Sequence, residues 1–304
     1  MRLAFIALVL IALLAASSEE AISETASVAR GEYIVRAAGC ISCHTQKDGK
    51  GEFLAGGRAL ISPYGTFYSS NITPDAQTGI GAWRDADFIR AMRHGESPQG
   101  RTYYPAFPYA SFSAMRRQDI LDVKAYLFST APVRQENRPH DLRFPFSWRF
   151  SIYPWRWLFF SLPEEIPEAP LATPEQRGRY LVDVLGHCAE CHTPRNIAGG
   201  LKRGKALAGT RYGPGGSVPN ITPDTETGIG AWTAGDLIFF FQTGLKPDGD
   251  VVQGEMRDVI EDGLRYLSKE DLLAIAAYLK VVPPIHHAVR PAKSHGASSF
   301  HDGW

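Results

Sequence analysis

Neither sign of charge is in excess in this chain: 32 lysines and arginines face 32 aspartates and glutamates over 304 residues. No basic stripe or block stands out, which excludes the charge pattern of a nucleic-acid-binding surface. Long apolar runs are missing beyond Ala16, so no later segment offers the roughly 18–20 apolar residues of a membrane-spanning helix. Methionine and cysteine are scarce, with four of each. An apolar content of 44% is ordinary for a globular protein. The length suits two domains.

The one long apolar run lies at the start. Arg2 precedes Leu3 to Ala16, followed by small residues and then Glu19 and Glu20. This order of charged, apolar and small residues predicts a secretory signal peptide over residues 1–18. The run is too short to favour an uncleaved anchor. A periplasmic location is therefore expected, with attachment to the outer face of the inner membrane as an option.

An exported chain with four cysteines would ordinarily suggest disulfides. Their spacing says otherwise. All four fall in two copies of C-x-x-C-H, Cys40-Ile41-Ser42-Cys43-His44 and Cys188-Ala189-Glu190-Cys191-His192. That pattern is the attachment signature of c-type haem: two thiols form thioethers with the vinyl groups and the histidine reaches the iron. One copy could arise by chance or as half of a zinc site. Two copies with no cysteine left over predict two covalently bound haem c groups, held by Cys40, Cys43, Cys188 and Cys191. His44 and His192 are the expected iron ligands.

The surroundings of the two motifs repeat as well. Asn71 to Trp83 and Asn220 to Trp232 agree at 11 of 13 positions. The cysteines Cys40 and Cys188 are 148 residues apart, and the asparagines Asn71 and Asn220 are 149 apart. Helices are expected over 28–39, 85–94 and 117–129 in the first copy. In the last of these, Ile120, Val123 and Leu127 form the buried stripe. The closing helix of the second copy carries Leu272, Ile275, Ala276 and Leu279, with Ser268 and Asp271 as an N-terminal cap. The predicted fold is all-α: two tandem class I cytochrome c-like domains, residues 24–130 and 173–283. An aromatic- and proline-rich strap, residues 131–172, joins them, and a tail follows over 284–304. The strap is too apolar for a solvated tether. It is expected to pack across both domains, or to leave part of itself exposed for docking or membrane contact. The tail histidines His286, His287, His295 and His301 show no periodicity and read as incidental.

An electron-transfer haem commonly takes a second protein ligand, and methionine in that place raises the potential. For the second haem Met256 is the only methionine in its half, in a segment expected to be a loop before the last helix. For the first, Met92 reads as core. Met115, ahead of the helix at 117, is the favoured ligand, with an open or histidine-ligated iron as the alternatives.

The paired motifs, the Asn-Ile-Thr-Pro-Asp stretches and the closing helices together resemble the multihaem cytochrome c subunits of bacterial membrane-associated dehydrogenases acting on alcohols, aldehydes or sugar acids. The resemblance implies transfer of electrons from a partner dehydrogenase towards quinone, another cytochrome or an oxidase. It also implies no substrate chemistry in this chain, and no catalytic residue is assigned. The alternative is a di-haem redox enzyme, peroxidase-like or a sulfur-compound oxidase, using an open site at the first haem. Two departures stand out. Well-known members carry three haems, which leaves the specific partner and direct quinone reduction open. The family's Tyr-Pro-Ala-Met-Pro-Tyr, whose methionine binds iron, here reads Tyr104-Pro105-Ala106-Phe107-Pro108-Tyr109.

Overall fold

The computed structural model describes residues 23–47, 49–163, 171–213 and 216–289. The predicted leader and most of the predicted tail lie outside the described residues. Helices predominate, in two sets that follow the same order. In the first half, helix α1 spans residues 23–37. The motif forms α2 (Cys40–His44), followed by strands β1 (Ala59–Ser62) and β2 (Gly65–Tyr68). Helices α3 (Asp85–His94), α4 (Tyr109–Phe112) and α5 (Arg117–Ser129) complete it. Next come strand β3 (Asp141–Leu142) and helix α6 (Ile152–Phe159) of the aromatic segment. The second half runs α7 (Pro174–Arg179), α8 (Cys188–His192), β4 (Thr210–Gly213), β5 (Gly216–Val218), α9 (Ala234–Thr243), α10 (Glu255–Asp262) and α11 (Lys269–Val281).

Local chemistry accounts for the boundaries. Gly39 stops α1 in the left-handed region, at φ 64°, so that the motif can start a new helix at a different angle. Gly95 and Gly244 end α3 and α9 in the same way. Ser268 accepts a hydrogen bond from the Asp271 amide at 3.1 Å, the cap expected from the sequence. The predicted stripes of α5 and α11 are buried.

Two features depart from the all-α expectation. The glycine-rich stretch after the first motif is an antiparallel hairpin, with Ala59 opposite Tyr68 and Ser62 opposite Gly65. Strand β3 joins its edge through Gly65 and Thr66. A smaller hairpin, β4–β5, occupies the same place in the second half. In addition, α7 continues from Tyr180 to Leu185 in wider π-type turns.

Each half is pinned by one very close helix crossing. A Cβ on Gly31 would lie 1.9 Å from the carbonyl oxygen of Asp122, and one on Gly178 would lie 2.0 Å from that of Ala274. Only glycine lets the backbones meet at this distance. The halves are also tied to each other reciprocally. Tyr33 in α1 donates to Asp271 in α11 at 2.6 Å, and Tyr180 in the second half donates to Asp119 in α5 at 2.6 Å. This exchange of equivalent contacts is what a two-fold relation between halves produces.

The segment after each closing helix folds back on its own half. Val133 and Gln135 bond to Asn71, Thr73 and Thr78. Ile285 and His287 do the same to Asn220, Thr222 and Thr227. The aromatic segment touches both halves. The ring of Phe146 lies 4.6 Å from that of Tyr64, and Tyr104 donates to the Phe146 carbonyl. Phe159 and Trp155 pack over Gly200 and Gly199. Its other side faces outward, with Phe144, Trp148, Phe150 and Trp157 exposed.

Candidate functional site: a paired haem cavity

A single cavity of about 2270 Å³ runs between the halves. Ordinary cofactor pockets measure roughly 300–1,000 Å³, so this one is large enough for two. All four cysteines, His44, His192 and Met256 line it. Its walls are mostly apolar, with Phe67, Trp83 and Phe88 on one side and Trp232, Phe241 and Leu279 on the other.

The repeated Asn-Ile-Thr-Pro-Asp stretch shows why it is duplicated almost unchanged. The Asn71 side chain accepts from the Thr73 amide and hydroxyl at 2.9 and 2.7 Å and donates to Thr78 and the Val133 carbonyl. Asp75 closes the turn by accepting from the Thr78 amide and hydroxyl at 2.6 and 2.8 Å. Asn220 and Asp224 repeat these bonds with Thr222, Thr227 and Ile285. The rigid loop fixes the carbonyl just before the asparagine. His44 Nδ1 donates to the Ser70 carbonyl at 2.6 Å and His192 Nδ1 to the Pro219 carbonyl at 2.8 Å.

That bond sets the chemistry of each imidazole. Burial lowers the affinity of both rings for a second proton, against the pull of the carbonyls, so the neutral form dominates. With Nδ1 carrying the hydrogen, Nε2 presents a lone pair to the cavity, the form in which histidine binds a metal. The carbonyl partners were not foreseen from the sequence. The near-identity of the two stretches was their only signal.

The thiols suit covalent attachment. None is paired in a disulfide. Burial pushes Cys40, Cys188 and Cys191 up to about 12 and raises Cys43, so all four are neutral thiols facing the cavity. Donor set, tautomer and apolar walls all fit a c-type haem at each motif.

Each motif is braced by the other half's far wall. Arg58, whose guanidinium also reaches the Ser42 carbonyl within the first motif, bonds Glu255 at 2.8 Å and Asp258 at 2.7 Å. Lys47 pairs with Asp262. Those carboxylates flank Met256 on α10. Reciprocally, Glu190 of the second motif accepts from Ser111 of α4 at 3.3 Å and pairs with Arg195. His187, which precedes Cys188, packs on Phe112 with ring centroids 5.5 Å apart.

The predicted methionines separate here. Met256 lies on the cavity wall, in helix α10 rather than a loop, because Gly254 at φ 64° opens a helical turn there. Met115 is not among the cavity-lining residues and is 0% exposed within the core. Its turn is fixed on both sides: Arg93 bonds the Met115 carbonyl at 2.6 Å, and Tyr180 accepts from the Arg116 amide at 3.1 Å. Met92 lines the cavity from α3.

Comparison with known proteins supports the haem c reading. The cytochrome c family model matches residues 28–131. A di-haem c-type cytochrome of Cereibacter sphaeroides is 45% identical over 265 residues, which cover 86% of this chain and 88% of that protein. The cytochrome c subunit of a gluconate 2-dehydrogenase from Pantoea cypripedii is 40% identical over 92% of this chain and 65% of its own length. The corresponding subunit of a quinone-linked alcohol dehydrogenase from Gluconacetobacter polyoxogenes is 39% identical, and the match spans 57% of that longer protein. With two haem c sites built from its own repeated motifs, the chain belongs to the family of di-haem c-type cytochromes.

Proposed function

We propose that the chain is a periplasmic relay that accepts electrons from a partner dehydrogenase and passes them towards the respiratory chain. Bound haem supplies the one-electron iron couple; the chain supplies ligands, insulation and spacing. His44 and His192 would each ligate the iron of their own motif's haem, and Met256 would supply the second protein ligand at the second haem. The observation that carries this reading is the single apolar cavity in which both attachment motifs sit, each braced by the opposite half. Such a cavity would keep two redox centres within one largely apolar space, as a carrier requires. Relatives that are cytochrome subunits of alcohol, gluconate and fructose dehydrogenases support a dehydrogenase as donor, and favour a carrier over a di-haem enzyme.

Among the described residues no helix is long and apolar enough to cross a membrane. We assign contact with the membrane surface to the exposed aromatic side of residues 144–158. There Trp157 is 83% exposed, and Arg143, next to the exposed Phe144 in the chain, is exposed too. Aromatic rings beside basic groups suit the interface of an anionic bilayer.

The test is to purify the tagged chain from its host's periplasmic and membrane fractions and add alcohol, aldehyde or sugar-acid substrates. Reduction of the haem bands in the co-purified assembly, and none in the isolated chain, is expected. Turnover of a substrate by the isolated chain would contradict the proposal.

A further inference from the structure

The two distal walls follow the same path up to one residue. In the second half, Leu245 bridges to Val251, the Val252 amide donates to the Gly244 carbonyl at 2.9 Å, and the Lys246 amide donates to that of Asp250 at 2.8 Å. In the first half, Glu96 bridges to Thr102, the Tyr103 amide donates to the Gly95 carbonyl at 2.7 Å, and the Ser97 amide donates to that of Arg101 at 2.9 Å. Every one of these partners is displaced by 149 residues. Five residues beyond the bridge the second half presents Met256; five residues beyond it the first half presents Phe107. Both line the cavity. Phenylalanine has no lone pair to give to iron.

Neither the first half's other methionines nor His140 is placed to substitute. Met92 has Phe241 as its counterpart, 149 residues on, and the two are equally buried at 6% exposure. The position thus serves as wall in the half where the ligand is Met256. Met115 corresponds to Leu267 in the turn before the closing helix, and it presents no surface to the cavity. His140 accepts the Tyr68 amide on Nδ1 at 3.1 Å, which puts the hydrogen of its neutral ring on Nε2 and removes the lone pair. Around Phe107 the wall is aromatic. Tyr103 stands edge-on at 5.8 Å and Phe112 lies at 5.8 Å.

We propose that the first haem site, on the side opposite His44, is an open site for a small neutral diatomic ligand, roofed by Phe107, Met92 and Phe112. It rests on the reading of both motifs as haem attachment sites. The uncharged roof disfavours anions, and Phe107 limits the size of what can enter. A second consequence follows from methionine's effect on iron: the first haem has the lower potential, so electrons pass from the first site to the second.

The experiment uses the full-length holoprotein, probed with carbon monoxide after reduction. A covalent haem count of two per chain is read first; a lower count would overturn the attachment reading and is distinguishable from any outcome below. With two haems present, carbon monoxide should bind one site per chain, and the oxidised protein should show one high-spin and one low-spin iron. Phe107→Met should abolish carbon monoxide binding and double the methionine-to-iron absorption band. Met115→Leu should leave both signals unchanged, and Met92→Leu should leave the methionine-to-iron band unchanged. Two low-spin irons without carbon monoxide binding would overturn the proposal, whichever methionine or histidine fills the position. So would loss of a methionine band in either leucine variant.

Discussion

The two halves of the molecule agree in the groups that attach and orient a haem, and disagree in the group that faces its far side. His44 and His192 are each locked by a carbonyl that precedes an asparagine-centred turn, with bonds matched to within about a few tenths of an ångström. On the cavity wall, five residues beyond the matched bridges, stand Phe107 in one half and Met256 in the other. Duplication thus preserved what attachment demands, since a c-type haem is fixed by thiols and a proximal imidazole alone. The distal ligand is separable. It sets potential and access, and it can change in one half without disturbing the cavity.

The largest effect should come from removing an attachment site. Cys188→Ala with Cys191→Ala should reduce covalent haem from two per chain to one, leaving the first site's spectrum intact. Loss of both haems would show that the two sites are not independent units. Next come the helix crossings. Gly178→Ala forces a methyl group onto the Ala274 carbonyl, and Gly31→Ala onto that of Asp122. Overpacking of this kind costs about 1–3 kcal/mol, and both variants should lower the thermal midpoint by similar amounts. An unequal loss would mean the crossings are less alike than their geometry.

Acid should act on both halves through Asp122 and Asp271. Burial alone would raise these carboxyls. The bonds from Arg30 and Ser27 to Asp122, and from Arg177 and Tyr33 to Asp271, outweigh it and hold both below the usual carboxylate range. A carboxyl depressed in the folded state contributes stability above its unfolded pKa of about 3.9, and that stability is lost as pH falls through the folded value. Unfolding free energy should therefore decline below about pH 4, and Asp271→Asn should flatten the decline. An unchanged slope in that variant would remove Asp271 from the account. The smallest effect belongs to the aromatic face. Trp157→Ala should weaken sedimentation with anionic vesicles while changing stability by less than about 0.5 kcal/mol, as at other exposed positions. Unaltered vesicle binding would move the contact elsewhere.

Much of this was legible in the residues because it is carried by local signals. The thiol spacing, the glycine stops at Gly39 and Gly95 and the cap at Ser268 are each decided within a few positions. The hairpins were not legible, because Ala59 to Tyr68 reads as a turn-rich stretch whose pairing depends on where Gly65 bends. The carbonyls of Ser70 and Pro219 leave no trace in side-chain identity. Met115 is favoured as a ligand by its nearness to the following helix, whereas the bonds that fix its turn come from Arg93 and Tyr180, distant in the chain. Phe107 stands out in the sequence as a departure from the family pattern. Its equivalence to Met256 became visible only through the matched bridges, since sequence identity fades between them.

The most direct measurement is a redox titration of the holoprotein followed in the haem absorption bands. Two separate one-electron steps are predicted, with the upper step assigned to the second haem, and Met256→Leu should lower that step alone. Two coincident steps, or an upper step that persists unchanged in Met256→Leu, would contradict the inequality of the two sites.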